Sequence, residues 1–435
     1  MRVKNKYKIS LTDSFKQQLL SWAQQFNEVI WLDSNHDNVI LNNKYSKYKA
    51  ILAVDAITSI KTDVFNAFEK LEEYQQTTKD WLFGYLTYDL KNDIENLRST
   101  NFDGLHFPDL LFFQPKKLFL FTEEEVEILY LNFVADEIEE DWKDILNTNS
   151  NQNYSEENSS IKIQLRTSKD SYFEKLDQIM NHIQRGDIYE ANFCQEFYSE
   201  NVSLDPLKTY VHLNELSKPP FATYLKFDDH FAMSASPERY ISKWGSKVIS
   251  QPIKGTAKRD ADLVEDELLK DRLSKDPKER SENIMITDLV RNDLSRFANK
   301  GSVQVEELCK VYTFEQVHQM ISTISCEVSS ELSPVKIIKE TFPMGSMTGA
   351  PKISAMKIME EQEDAKRGLY SGAIGYFTPE GNFDFNVIIR SILYNAAHKY
   401  VSYSVGGAIT AKSIPENEYE ECLLKAKAMR EVLER

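Results

Sequence analysis

The sequence predicts an α+β fold, and three observations support that class. The chain has 435 residues, of which 41% are hydrophobic, so it can bury one large core or the cores of two ordinary domains. Segments with helical and strand-like patterns follow one another without strict β-α-β-α alternation, which disfavours a doubly wound parallel sheet. No run approaches the roughly 18 to 20 apolar residues that a membrane helix needs. We therefore expect a globular protein with no membrane partner.

The first part of the chain carries the patterns of one helix and several strands. Residues 11–29 have a helical period, with Phe15, Leu19 and Trp22 on one broad face. Strand-like runs rich in aromatic or β-branched residues follow at residues 29–34, 82–90, 117–121 and 126–134. These patterns predict an irregular α+β region over residues 1–146.

Residues 147–160 form the clearest boundary in the chain. The segment consists mainly of Asn, Ser, Gln and Glu, and only Tyr154 is able to anchor a core. Such a composition predicts a flexible linker. It separates the N-terminal region from a second domain that we place at residues 168–432.

The second domain opens with a helical pattern over residues 169–184. Gly186 is expected to end this helix, because glycine readily adopts the left-handed conformation that follows a last turn. Strand-like runs then cover residues 189–198, 221–225, 231–234, 372–377 and 385–391. The third of these runs leads directly into Ser236-Pro237-Glu238-Arg239.

Charge and cysteine content narrow the possible functions. The formal net charge of −16 disfavours nucleic acid as a partner, but it allows a small anionic substrate in a locally basic cleft. The four cysteines stand far apart without a CxxC pair, so we expect a reduced, cytoplasmic protein without a cysteine-based metal site. Residues 1–10 mix lysines with polar residues and lack the apolar core of a signal peptide.

One lysine stands in an unusual backbone setting. In Gln251-Pro252-Ile253-Lys254-Gly255-Thr256, a stiff Pro-Ile pair precedes Lys254 and a Gly-Thr turn is expected after it. The free pKa of a lysine is about 10.4, so burial or a neighbouring cation would have to lower it before the amine became a nucleophile. A surface lysine on a hairpin turn is the simpler interpretation, and the motif by itself leaves both open.

Two helical patterns carry pairs of carboxylates. Glu279 and Glu282 continue an apolar stripe, and Glu418 and Glu421 stand early in the C-terminal helical pattern. Acidic residues near a helix start also stabilise the helix through its dipole, by about 0.3–1 kcal/mol, which is the structural alternative. If the two helix starts meet in space, they supply oxygen ligands with room for water, which suits Mg²⁺.

A glycine-bearing turn at residues 342–352 enters a further helix. Free N–H groups at such a start can bind a phosphate or a carboxylate, although the sequence does not satisfy GxxxxGK[ST]. Lys352 is a rival for the role of nucleophile, but a lysine just inside a helix is usually solvated. Arg390 is suited to a bidentate carboxylate contact, and Gly406-Gly407 could offer backbone N–H groups beside it.

Together these motifs resemble those of the chorismate-utilising enzymes. The resemblance rests on Ser236-Pro237-Glu238-Arg239, on PIKGT at residues 252–256, on the acidic helix at 279–293, on GSMTGAPK at 345–352 and on EYEE at 418–421. It covers residues 170–431 closely and the N-terminal region loosely. It implies a large mixed β-sheet or β-sandwich core with outer helices.

By this resemblance, Lys254 and Glu238 are the catalytic residues. Members that aminate chorismate at C4 carry PIKGT, whereas members that form anthranilate carry alanine in place of the lysine. Lys254 would add at C2 as the C4 hydroxyl leaves, and ammonia would then add at C4 as the lysine departs. Glu238 would be the general acid and base. The expected product is 4-amino-4-deoxychorismate, and anthranilate is the alternative.

The resemblance also implies a magnesium site and a set of substrate contacts. Glu282 and Glu421 would bind Mg²⁺, with Glu279 and Glu418 as indirect partners, and the metal would hold the ring carboxylate of chorismate. The other substrate contacts are expected from Thr256, Thr348, Gly349, Tyr370, Arg390, Gly406, Gly407 and Lys425.

A few positions depart from the family pattern. Glu190 stands where amine-adding members usually have Gln and water-adding members have Lys. Gln319 replaces a His linked to pyruvate elimination, which fits retention of the enolpyruvyl group because a neutral amide cannot transfer protons as an imidazole can, although neutral drift fits as well. Ala408 replaces a usual Gly. Leu32-Asp33-Ser34 resembles part of a tryptophan-binding motif, and we interpret it as a buried turn.

The source of ammonia is expected to be a partner. No cysteine stands in a nucleophile-elbow context such as GxCxG, so the resemblance implies a separate glutamine amidotransferase subunit. A catalytically silent relative that serves as an interaction subunit is the non-enzymatic alternative. The joint presence of Lys254, Glu238, Glu282 and Glu421 disfavours it.

Overall fold

A computed structural model describes residues 1–35, 45–148, 161–315 and 317–434. The strands within these ranges pair antiparallel wherever they form a ladder. They are β1 Arg2–Lys8, β2 Glu28–Asp33, β3 Ala50–Thr62, β4 Leu82–Leu86, β5 Leu110–Phe121, β6 Glu125–Leu131, β7 Gln164–Leu165, β8 Glu190–Ser199, β9 Phe221–Phe227, β10 His230–Ser236, β11 Arg239–Trp244, β12 Lys247–Gln251, β13 Ile253–Lys258, β14 Gln304–Thr313, β15 Val317–Glu327, β16 Gly349–Ala350, β17 Ala373–Phe377, β18 Phe383–Asn386, β19 Ser391–Asn395 and β20 Tyr400–Thr410.

Helices cover the outside of this sheet. They are α1 Asp13–Ala23, α2 Ala67–Thr78, α3 Lys91–Ile94, α4 Ile138–Asn147, α5 Lys169–Arg185, α6 Pro206–Ser217, α7 Leu263–Lys275, α8 Pro277–Ser295, α9 Pro334–Thr341, α10 Lys352–Gln362 and α11 Pro415–Leu433. None of the helices in the described ranges is both long and apolar enough to cross a membrane. The architecture confirms the predicted α+β class with a large sheet and outer helices.

Two hydrophobic cores lie on opposite faces of the strands. Successive side chains of a strand point to opposite faces, so Ile30 of β2 enters one core while Val29 and Trp31 enter the other. The inner core joins β2 and its neighbours to strands such as β17 and β18. The outer core packs α1, α4, α6 and α11 against the reverse face. Burial on both faces explains why these strands are apolar throughout.

Strands from both parts of the sequence pair directly. β2 pairs along its length with β9, and β4 pairs with β17, so the N-terminal region supplies neighbours to strands of the second part. The predicted linker lies almost entirely outside the described residues, since residues 149–160 are not described. The division into residues 1–146 and 168–432 therefore stays a prediction.

Short sequence patterns predicted the ends of some helices correctly and of others less well. α5 ends at Arg185, and Gly186 follows it with a φ of 83°, as a helix-ending glycine should. The first helix is shorter than its pattern predicted, because it stops at Ala23 and β2 begins at Glu28. The N-terminus of helix α8 matters for the site. Asp276 caps α8 by accepting hydrogen bonds from the N–H groups of Lys278 and Glu279.

Candidate active site

Lys254 lies inside a strand. The sequence predicted a turn at Gly255-Thr256, which is wrong, because β13 continues through these residues with an irregular register against β15. Gly255 has a φ of 95°, and a Cβ there would lie 3.1 Å from Oε2 of Glu279. The strand therefore bulges towards α8, and only glycine allows this close approach.

An ion pair holds the amine of Lys254. Its Nζ lies 3.1 Å from Oε1 of Glu190, the first residue of β8, which is only 1% exposed. Burial by itself would lower the pKa of Lys254, but Glu190, Glu282 and Glu238 together raise it. The structure therefore gives the opposite direction to the lowered pKa expected from the motif. Without a ligand, the lysine is held as an ammonium.

Glu238 faces the same space as Lys254 from the loop between β10 and β11. It is 4% exposed, and the hydroxyl of Ser346 donates a hydrogen bond of 2.6 Å to its Oε1. Burial raises the pKa of Glu238 from 4.5 to about 7, while Ser346 and the charge of Lys254 partly oppose the rise. A carboxyl group with this pKa can give or take a proton near neutral pH.

The starts of α8 and α11 meet, as the metal hypothesis requires. Nζ of Lys278 lies 3.9 Å from Oε1 of Glu282 and 3.9 Å from Oε1 of Glu418, so it bridges the two helices. Burial raises the pKa of Glu282 to about 7; Lys254 opposes this rise, and the nearby carboxylates Glu190 and Glu279 add to it. The region therefore has more negative charge than its own lysines balance.

The carboxylates fit a magnesium ion in chemistry and in number. Oε1 of Glu282 is buried and has no hydrogen-bond partner among the described residues. Within those residues, no three metal-binding side chains converge on one point. The protein would therefore offer a pair of carboxylates, and Mg²⁺ commonly accepts such a pair because it keeps several waters. Glu421, the other expected ligand, forms an ion pair in which its Oε1 lies 2.7 Å from Nζ of Lys425.

Five of the predicted substrate residues come together beside α11. Nζ of Lys425 donates a hydrogen bond of 3.0 Å to the carbonyl of Gly406, and Arg390 donates one of 3.3 Å to the carbonyl of Lys425. A Cβ at Gly406 would lie 3.0 Å from the hydroxyl of Tyr370, so glycine makes room for this tyrosine. A Cβ at the neighbouring Gly407 would come within 3.7 Å of Glu418.

The remaining substrate candidates lie on the β8 side. A Cβ at Gly349 would sit 2.3 Å from the carbonyl oxygen of Glu190, so this glycine lets β16 lie tightly against β8. Thr348 is fully buried, and its hydroxyl donates a hydrogen bond to the carbonyl of Gly345. In this structure the side chain therefore has a structural contact within its own turn. Thr256 stands opposite Gln319 in the β13–β15 ladder. Gln319 is buried, and its Oε1 lacks a hydrogen-bond partner among the described residues.

Lys352 belongs to the interior. The expectation of a solvated lysine is wrong, since Nζ of Lys352 lies 2.6 Å from Oδ2 of Asp293 and 3.1 Å from the carbonyl of Thr341. Burial lowers the pKa of Lys352, although Asp293 opposes the change. The pKa direction would favour Lys352 as a nucleophile, whereas the proximity of Glu190, Glu238 and Glu282 favours Lys254.

Sequence reasoning did not find two of these contacts. It missed Ser346 as the partner of Glu238, and it did not identify Lys278 as the bridge between the helix starts. The position of Ser346 in the glycine-bearing turn was the available signal. Asp33, which was expected in a buried turn, is buried but is the last residue of strand β2; it pairs with Lys16 at 2.8 Å and borders a partly open pocket.

Comparisons with known proteins find a matching family, related sequences and a related fold. A family model described as chorismate binding enzyme matches residues 12–431. The chain is 30% identical over 450 residues to aminodeoxychorismate synthase component 1 of Bacillus subtilis (strain 168), covering 97% of this chain and 95% of that protein. It is 40% identical over 264 residues to the chloroplastic aminodeoxychorismate synthase of Arabidopsis thaliana, covering 60% of this chain but only 28% of that longer protein. A crystal structure of anthranilate synthase component I from Streptococcus pneumoniae TIGR4 superimposes with a TM-score of 0.78 at 25% identity, covering 91% of this chain and 94% of that chain.

The raised pKa of Glu238 predicts a pH-dependent cost to stability. Between pH 4.5 and about 7 the unfolded chain ionises this carboxyl before the folded protein does, so folding stability is lost as the pH rises through that range. Glu238→Gln removes the titration. Relative to the wild type, we expect the variant to gain on the order of 3 kcal/mol of unfolding free energy between pH 4.5 and pH 8.

Urea denaturation at the two pH values measures this gain. Glu267→Gln, at an exposed position of α7, is the matched control and should track the wild type at both pH values. Equal pH dependence in Glu238→Gln and the wild type would contradict the assignment of a raised pKa to Glu238.

Proposed function

This chain belongs to the family of chorismate binding enzymes, and on that premise we propose that it converts chorismate and ammonia into 4-amino-4-deoxychorismate. The observation that carries the proposal is the placement of Lys254 against Glu190, with Glu238 facing the same space. The B. subtilis relative, which this chain matches over almost all of both lengths, bears the name of that activity. Such a product would serve the formation of 4-aminobenzoate and folate.

The first step uses Lys254 as the nucleophile. The residue is an ammonium in the free protein, so it has to lose a proton before it can react, and Glu190 at 3.1 Å is the adjacent acceptor. The neutral amine then forms a bond to C2 of chorismate, both conjugated double bonds of the ring shift by one position and the C4–O bond breaks. Protonated Glu238 supplies the proton with which the hydroxyl leaves as water.

The second step reverses these roles. Ammonia forms a bond to C4, both double bonds shift back and the C2–N bond to Lys254 breaks, which returns the lysine as a neutral amine that regains its proton from Glu190. The Glu238 carboxylate takes one proton from the new ammonium group at C4. Glu238 is thereby protonated again, and the net reaction exchanges a hydroxyl for an amino group with release of water. A pKa of about 7 suits both directions of transfer.

Magnesium is the proposed cofactor, held by Glu282 and Glu421 with Glu279 and Glu418 behind them. When bound, it would offset the negative charge of the ring carboxylate of chorismate. The buried, unpartnered oxygen of Glu282 and the excess of carboxylates support this assignment. Arg390, Lys425 and Tyr370 would meet the other polar groups of the substrate.

A separate glutamine amidotransferase subunit is the proposed source of ammonia. The four cysteines of the chain are all buried, and none stands in a nucleophile-elbow sequence. This chain therefore offers no cysteine suited to glutamine hydrolysis.

An adduct on Lys254 tests the covalent step. Chorismate and Mg²⁺ without any amine source should trap the C2 adduct, because ammonia is needed for its release. Peptide mapping by mass spectrometry should find the added mass on Lys254, and Lys254→Ala should abolish it and lower the amination rate by at least about 100-fold. Circular dichroism of Lys254→Ala should match the wild type. An adduct on Lys352 would overturn the assignment.

Thermal unfolding at increasing Mg²⁺ concentration tests the metal site. A bound cation should raise the unfolding temperature of the wild type because it relieves repulsion among the buried carboxylates. Glu282→Gln and Glu421→Gln should weaken the apparent affinity by about tenfold or more. Glu267→Gln, on the exposed side of α7, should keep the wild-type response. If all three variants respond alike, the two-helix site is wrong.

The reaction product separates this proposal from formation of anthranilate. With chorismate, Mg²⁺ and ammonium chloride, we expect 4-aminobenzoate only when aminodeoxychorismate lyase is added, since Lys254 directs ammonia to C4. Fluorescent anthranilate formed without the lyase would instead favour the alternative reaction. Glutamine in place of ammonium chloride should give almost no product with the isolated chain, and equal rates would contradict the need for a partner.

A further inference from the structure

A second cavity lies behind Glu238. It measures about 340 Å³ including its opening, and we call it the rear cavity. Its polar lining comes from Glu238, Arg239, Tyr240, Ser250, Asp293, Thr341 and Ser346, and apolar side chains such as Val290 and Leu294 complete the wall. It has no assigned role in the steps proposed above.

Glu238 lines the rear cavity, whereas Lys254 does not. The lining includes Glu238 and Ser346, but it includes neither Lys254 nor Glu190 nor any of the four acidic residues of α8 and α11 assigned to magnesium. Ser346 donates its hydrogen bond of 2.6 Å to Oε1 of Glu238 from within this lining. A small molecule in the cavity would therefore reach the general acid and base without contacting the lysine.

Asp293 supplies an unused hydrogen-bond acceptor on the opposite wall. The residue is 3% exposed; its Oδ2 accepts from Lys352 at 2.6 Å, while its Oδ1 has no hydrogen-bond partner in the described part of the chain. Arg296 lies 3.7 Å from that oxygen, beyond hydrogen-bond distance. A buried carboxylate oxygen without a donor is costly, so this wall favours a ligand that carries N–H or O–H groups.

We propose that the rear cavity binds the ammonia consumed in the reaction, as a neutral molecule that donates a hydrogen bond to Asp293 and then lies beside Glu238. This inference rests on the proposed function, in which ammonia must reach the carbon that Glu238 serves. Chorismate would occupy the space in front of Lys254, so the second substrate requires another approach. The cavity ends at Glu238, and its polar lining can hydrogen-bond a molecule the size of ammonia.

Filling the cavity from α8 tests this proposal. Val290 is buried in the wall, so Val290→Leu and Val290→Phe remove progressively more space without altering any charge. We expect KM for ammonium chloride to rise stepwise, by about tenfold for phenylalanine, while KM for chorismate and the yield of the Lys254 adduct stay at wild-type values. Leu268→Phe is the matched control, because Leu268 is exposed on α7 and does not line the cavity.

The measurements separate the two proposals. If the wild type forms neither an adduct on Lys254 nor an aminated product, the proposed function fails. If the adduct and product form but Val290→Leu and Val290→Phe both keep the wild-type KM for ammonium, the cavity holds only water and the ammonia site is overturned. Should Val290→Phe fail to fold, Val290→Leu decides the question, since it adds only one methylene group and should still raise that KM.

Discussion

The carboxylates that surround Lys254 set the constraint on which the rest of the site depends. Glu190, Glu238 and Glu282 approach from β8, from the β10–β11 loop and from α8, and all are shielded from water. Like charges in a region of low dielectric are costly unless a cation or a proton balances them. The pKa of Lys254 is raised, and those of Glu238 and Glu282 are raised to about 7. The free protein therefore balances this charge with one ammonium and with protons.

The fold keeps these groups together against their repulsion. β8 is fixed on both edges, by the long ladder with β20 and by the short contact with β16, where Gly349 permits a close approach. Lys278 bridges the starts of α8 and α11. The inner core then braces the strands that carry the site, since the N-terminal strands β2 and β4 pair directly with β9 and β17. Much of the chain therefore serves to hold a small electrostatic centre.

The two lysines that the sequence presented as rivals have different surroundings. Lys352 is matched by one carboxylate, Asp293, inside the protein, and burial lowers its pKa. Lys254 faces three carboxylates at the cleft, and they raise its pKa in spite of burial. A lowered pKa by itself is thus a poor guide to the nucleophile here. The number of surrounding carboxylates separates the two residues, and the rear cavity is lined by both Glu238 and Asp293, the partner of Lys352.

The sequence by itself determined those features that depend on residue type and short spacing. Periodic patterns predicted α5 and its end at Gly186, several of the strands and the α+β class. The PIKGT stretch, the acidic helix at 279–293 and the EYEE stretch identified Lys254, Glu282 and Glu421 as candidates. Tertiary structure decided how the candidates interact. Lys254 and Glu190 are separated by 64 positions, and Glu238 and Ser346 by 108. Charge interactions depend on distance in space and on burial, and neither can be read from positions so far apart in the chain. For that reason the direction of the Lys254 pKa, the meeting of the two helix starts and the buried partner of Lys352 appeared only in the folded protein.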